Sequence, residues 1–147
     1  MTPHKDIYIP PGGPPQQRPN PAIYAKMGEA NIFRMLEDFY LRLEKSEIRP
    51  MFPEDMVQAS KKSGAFFVFL LGGPPLYQQR YGAPMMRQRH LPFAIDEAAR
   101  QTWLACFREV LVDADKKYQF PMEYMAEFMT FLERFSAWMV NTRAKPC

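Results

Sequence analysis

The chain has 147 residues, 47% of them hydrophobic and 14% aromatic, with 19 basic and 16 acidic side chains giving a formal net charge of +3. That length suits one domain with one core, and the charges interleave with no run longer than a Lys pair, which excludes a nucleic-acid footprint. The longest apolar run, residues 65–71, is far too short to span a bilayer, and two cysteines, Cys106 and Cys147, make no disulfide framework. No N-terminal apolar stretch follows a basic segment, so the expected location is the cytoplasm. Twelve Phe and eleven Met exceed what a plain helical bundle needs. They fit either a core packed on itself or one that shares its interior with something large and flat.

Seven of the fifteen prolines fall in the first 21 residues, and residues 7–21 read IYIPPGGPPQQRPNP. No helix can start there before Pro21. Residues 1–21 are therefore expected to form a Pro-rich extension, extended and partly polyproline II, either loose or laid over the body through Ile7, Tyr8 and Ile9. Residues 22–143 form the expected domain and 144–147 a tail.

From Pro21 onward the pattern is helical. Ile32, Met35, Leu36, Phe39, Tyr40 and Leu43 fall on one stripe of a helix over 30–45, which Pro50 and Pro53 separate from the next. A second helix is predicted over 54–71 with Ala59, Ser63, Phe66, Phe67 and Leu70 inward, ended by the Gly72-Gly73-Pro74-Pro75 string. Gly82, Pro84 and Pro92 interrupt the following stretch, and within 76–94 only residues 84–90 are expected to be helical. Asp96 caps a longer helix running to Lys117, with Ala99, Thr102, Trp103, Cys106, Phe107, Val110 and Leu111 inward. Pro121 opens the last helix, whose inner face carries Met122, Met125, Phe128, Met129, Leu132, Phe135 and Met139. No convincing strand pattern occurs.

Two histidines are present, His4 in the Pro-rich arm and His90 at the end of the shortest predicted helix. A histidine at a helix C-terminus can give its second ring N–H to a carbonyl one turn back, which fixes the ring for metal coordination. Alone, such a histidine is more often a satisfied core or surface residue than a ligand. Arg87 and Arg89 precede it and can pair with carboxylates or simply form a solvated basic turn. Phe93 and Ile95 follow as apolar contacts.

GGPPLY at residues 72–77, YGAPMMRQRHLPF at 81–93 and WLACF at 103–107, with FPED at 52–55 and FY at 39–40, resemble the group II truncated haemoglobins in order and spacing. The likeness covers residues 22–114 strongly and the last helix by pattern. It implies an all-α truncated globin, a two-over-two helical sandwich around haem b, with the proximal helix cut to one or two turns. It also implies His90 as the proximal axial ligand of the haem iron. Tyr40, Trp103, Ser63, Ala59 and Phe52 match the distal pocket. Arg89, Tyr77 and Lys62, with Arg87 less closely, match propionate partners, and Phe66, Phe93 and Ile95 match contacts to the porphyrin. Two positions depart from the family pattern: Ala83 stands where many members carry His, and Ser63 where a bulkier Leu or Gln is usual.

The function so implied is reversible binding of dioxygen, carbon monoxide or nitric oxide, with nitric oxide detoxification and a reductase partner in the cell as its setting, in a monomer or homodimer. A mild positive charge suits a cofactor with two ionised propionates. Two other readings remain open from the residues: a peroxidase-like haem enzyme, for which no distal acid–base residue stands out, and a cofactor-free helical interaction module with a Pro-rich arm.

Overall fold

The computed structural model describes residues 7–143, and every regular element among them is helical. His4, Cys147 and the expected tail at 144–147 lie outside the described residues. Pro21, with its fixed φ, precedes α1 (Ala22–Met27), and Gly28 ends it. α2 (Glu29–Glu44) buries Ile32, Met35, Leu36, Phe39 and Leu43, the stripe read from the sequence. Pro50 lies in a 3₁₀ turn, Arg49–Met51, that leads to Phe52 at the edge of the core. α3 (Met56–Leu70) starts at Asp55, whose Oδ1 accepts the Gln58 N–H at 3.0 Å. A Cβ on Gly64 would lie 2.5 Å from the Phe33 ring, so glycine is what lets α3 approach α2 this closely.

Residues 76–94 hold more helix than the sequence reading allowed. Besides α4 (Leu76–Tyr81), which was not expected, they form α5 (Met86–His90) inside the predicted span. The breakers bound α4 instead of preventing it: Pro75 sits at its start, where no intrahelical acceptor is needed, and Gly82 takes φ 86° after its last turn. α5 begins two residues later than predicted because Met85 is left-handed, at φ 38°.

The helix expected over 96–117 is in fact two. Asp96 caps α6 (Glu97–Leu111) by accepting the Ala99 N–H at 2.8 Å, but Val112 is extended and Asp113 left-handed, and α7 (Ala114–Tyr118) restarts after them. β-branched Val112 suits the extended geometry and Asp113 tolerates φ 55°. Near the end of α7 the Tyr118 hydroxyl donates to Asp38 Oδ2 on α2 at 2.5 Å. A 3₁₀ turn, Met122–Tyr124, leads into α8 (Met125–Met139), and its tighter winding leaves Met122 47% exposed, off the inward face where periodicity had placed it.

α2 and α3 form one layer and α6 and α8 the other, the expected two-over-two sandwich. Phe39 joins them, edge-on to Trp103 at 5.4 Å and tilted against Phe107 at 4.2 Å between centroids. α4 docks on α3 and α5 on α8. The arm lies over this body, but not through Ile7 and Ile9, which are 52% and 68% exposed. Its main chain holds it instead: the Tyr8 N–H donates to Asn141 O at 2.9 Å, and Pro10 and Pro19 are buried. Gly72, at φ 111°, passes so close to Pro21 that a Cβ there would lie 2.5 Å from its Cα. No helix among the described residues is long and apolar enough to cross a membrane.

Burial, followed by the Asp38 carboxylate as hydrogen-bond partner and as charge, raises the Tyr118 hydroxyl well above its ordinary range. A proton held more tightly in the folded than in the unfolded chain stabilises the fold below about pH 10, and that stabilisation fades as pH rises further. Tyr118→Phe should therefore cost about 1.5–3 kcal/mol at neutral pH and flatten the alkaline loss of stability. Urea melts from neutral to alkaline pH measure both. An unchanged alkaline slope in the variant would mean that other groups set it.

Candidate functional site

Between the two layers, against α4 and α5, lies a cavity of about 350 Å³. The elements that frame it include the long helices with clear sequence patterns and the two short ones, α4 and α5, without them. Tyr40 comes from α2, Phe52 from the turn after it, Ala59, Lys62, Ser63 and Phe66 from α3, and Tyr77 from α4. Arg89 and His90 come from α5, Phe93 and Ile95 from the segment after it, and Trp103 from α6. Arg87 alone of the predicted set does not line the cavity.

His90 is half-buried, and its Nδ1 lies 2.5 Å from the carbonyl oxygen of Met86, one turn back in α5. A carbonyl can only accept, so Nδ1 carries the proton and Nε2 keeps its lone pair. Burial pulls the ring below its ordinary pKa, and the Met86 bond opposes this only in part. The imidazole is thereby held neutral, the form that ligates a metal, and oriented by a hydrogen bond to its other nitrogen.

Across the cavity the Tyr40 hydroxyl donates to Ser63 Oγ at 3.0 Å. Burial raises the phenol's pKa, with the Ser63 bond a smaller opposing effect, so Tyr40 stays a protonated donor. Its ring meets Phe39 and Phe52 edge-on, each at 5.7 Å. The Trp103 indole is wedged by Phe39 and Phe107 at 5.4 Å and by Phe135 at 6.4 Å. Those rings fix the direction of its only donor, Nε1–H.

The rim is basic and aromatic. Arg89 donates through Nε to Pro84 O at 2.8 Å and through Nη2 to Ala83 O at 3.0 Å, and its guanidinium stands 5.6 Å from the Tyr77 ring centre. Lys62 Nζ lies 5.4 Å from the Tyr81 ring centre. Arg87, expected beside them, is turned away. It donates to the carbonyls of Trp138, Val140 (2.9 Å) and Tyr8 (2.6 Å), and its guanidinium lies over the Trp138 ring at 4.6 Å. Two side chains of one short helix, Arg87 and Arg89, leave it in different directions, which composition alone does not reveal.

Several lining residues escaped the sequence reading. Met86 had a signal, since it precedes His90 by four, the spacing that places its carbonyl under the ring. Arg100 had none: its guanidinium is satisfied by Ser136 Oγ at 3.1 Å, Glu97 Oε1 at 2.6 Å and Glu133 O at 3.0 Å, partners drawn from two helices. It is a cation in the wall with its donors already used.

The donor set fits a flat, largely apolar cofactor with two carboxylates. One neutral imidazole presents a free nitrogen, Phe66, Phe93, Ile95 and Phe135 give apolar surface, and Arg89 and Lys62 stand at the rim. The bacterial-like globin family matches the chain over residues 22–141. Group 2 truncated hemoglobin YjbI of Bacillus subtilis is 36% identical over 91 residues, 61% of this chain and 69% of that protein. Among solved structures, phosphate-bound Hell's gate globin IV is 33% identical with a TM-score of 0.80, over 99% of this chain and 88% of that one. The group II truncated hemoglobin of Bacillus anthracis is 30% identical with a TM-score of 0.76, over 88% and 97%. A match of that extent, on a two-over-two fold whose cavity is walled by His90, Tyr40 and Trp103, means that this chain belongs to the bacterial-like globins and, within them, to the group II truncated haemoglobins.

Proposed function

We propose that the chain holds haem b through His90 Nε2 and binds dioxygen reversibly in the space between His90 and the pair Tyr40 and Trp103. Haem binding and oxygen binding come with the globin family. The finer assignments rest on one observation above all, the His90 ring hydrogen-bonded to the Met86 carbonyl in a cavity that Tyr40 and Trp103 also line. The haem iron, when bound, supplies the open coordination position for a diatomic molecule.

The chain supplies the rest. His90 would offer Nε2, while Phe66, Phe93 and Ile95 would give a macrocycle apolar surface. Arg89, Lys62 and Tyr77 meet the propionates. Ala59 and Ser63 leave space on the distal side, and Trp103 and Tyr40 direct N–H and O–H donors at the ligand. Such donors are worth more in a dry pocket than in water, because a partly negative ligand has few competing partners there. Carbon monoxide and nitric oxide fit the same space. Reversible dioxygen binding is the lead, and nitric oxide detoxification, served by a cellular reductase in the cytoplasm, is a use that a protein so loaded could serve as a monomer or homodimer. Peroxide turnover is less well served: among the described residues the lining holds no carboxylate and no second histidine to act as acid and base.

His90→Ala should abolish stable haem retention, since no other described histidine reaches the cavity, and should lower the melting temperature of the protein purified with haem. Full haem content with an unchanged ferrous spectrum would refute the ligand assignment.

Trp103→Phe should raise the dioxygen dissociation rate more than Tyr40→Phe does. Tyr40 already gives its proton to Ser63, whereas the indole donor is fixed by the rings around it. Losing a hydrogen bond to a charged acceptor costs roughly 1.5–3 kcal/mol, about a ten- to hundredfold faster escape. Stopped-flow displacement by carbon monoxide reads it, and a larger effect at Tyr40 would reverse the ranking.

A further inference from the structure

We infer that Asn141 is a positioning residue for His90, and that the N-terminal arm, through the main chain of Tyr8, completes its hold on the helix that carries the iron ligand. This rests on the reading of His90 as that ligand. α5 has only five residues and starts from a left-handed Met85, so it cannot fix His90 by its own hydrogen bonds. Asn141, 5% exposed, does so from outside. Its Nδ2 donates to the carbonyls of His90 at 3.2 Å and Phe93 at 2.9 Å, while its Oδ1 accepts the Ile95 N–H at 2.9 Å. The orientation of the amide follows from these partners, since carbonyls only accept and an N–H only donates. Its own N–H meets Ile95 O at 3.0 Å. One buried side chain thus uses its polar atoms on the segment that begins at His90.

The arm closes the arrangement. Tyr8 gives its N–H to Asn141 O at 2.9 Å and takes a hydrogen bond from Arg87 Nη2 at 2.6 Å. Arg87 lies on α5, three residues before His90, and also binds the carbonyls of Trp138 and Val140. Tyr8 therefore bridges the Arg87 side chain and the Asn141 main chain, the two residues that fasten α5 and the segment after it to the end of α8. Its backbone does this, not its ring. The arm and the residues after α8 hold the imidazole at its main chain, and Met86 holds it at Nδ1.

The test uses the full-length haem-loaded protein and four variants. Asn141→Asp keeps the acceptor for Ile95 but loses both donors, and Asn141→Ala loses all three contacts. Tyr8→Pro removes the arm's N–H, while Tyr8→Ala keeps it. The readouts are the ferrous iron–histidine stretching frequency, the rate of haem transfer to an apo-globin acceptor at low and high salt, and amide hydrogen exchange across residues 86–93. Both Asn141 variants should shift the stretch and speed haem transfer about tenfold, the effect of losing roughly one buried hydrogen bond's worth of support. Tyr8→Pro should move the same readouts in the same direction by less, and Tyr8→Ala should resemble the parent. The effects should persist at high salt, unlike those of an ion pair to a propionate. Parent-like exchange, stretch and haem transfer in Asn141→Asp and Tyr8→Pro would overturn the inference. Faster exchange with an unaltered stretch would also overturn it, leaving Asn141 a structural contact only, whereas a parent without an iron–histidine stretch would mean that the reading of His90 fails, which His90→Ala tests separately.

Discussion

Five residues make too few internal hydrogen bonds to keep a helix folded, so the His90 side of the cavity depends on what grips α5 from outside. The Met86 carbonyl under the His90 ring can orient the imidazole only while residues 86–90 stay wound. Asn141 and Tyr8 supply that condition from far apart in the chain, with Arg87 of α5 itself as the link to Tyr8. The same constraint explains why a polar residue is buried at 141: the apolar interior would penalise its amide unless every polar atom had a partner, and residues 90–95 provide them.

The distal side is built on the opposite principle. Tyr40, Phe52, Trp103 and Phe135 lie on long, well-packed helices or their edges, and their positions follow from the aromatic contacts centred on Phe39 and Phe107. Gly64 contributes by letting α3 press against Phe33. Ser63 then lies within hydrogen-bond reach of the phenol. A small hydroxyl both opens room and ties up a donor, two effects that act in opposite directions on a bound ligand.

What was legible in the sequence follows from these differences. The stripes of α2, α3, α6 and α8 repeat at the helical period over several turns, so their inward faces, and with them Tyr40, Phe66 and Trp103, could be read directly. α4 was missed because proline and glycine were weighed as barriers, when at the two ends of a six-residue helix they act as its limits. The break at Val112 and Asp113 carries no strong local signal, and there the Tyr118 to Asp38 bond accompanies a turn that propensity alone would not choose. Arg87 and Arg89 looked alike on paper. Only the packed arrangement shows that one meets main-chain carbonyls of the arm and α8 while the other stands at the cavity rim. Asn141 had no pattern to announce it, because its partners are three backbone groups some fifty positions away.

The meeting of Tyr8 with Asn141 joins positions separated by nearly the whole chain. Loop-closure entropy makes such a contact among the costliest to form early, whereas α2 and α3, separated by one short turn, can pair with little loss of chain freedom. Folding order should follow that gradient, with the α2 and α3 pair assembling first and the hold on α5 waiting until the arm and the residues after α8 arrive. During synthesis the consequence is sharper still: Asn141 emerges after every helix that walls the cavity, so α5 is made some fifty residues before the side chain that fastens the segment following it.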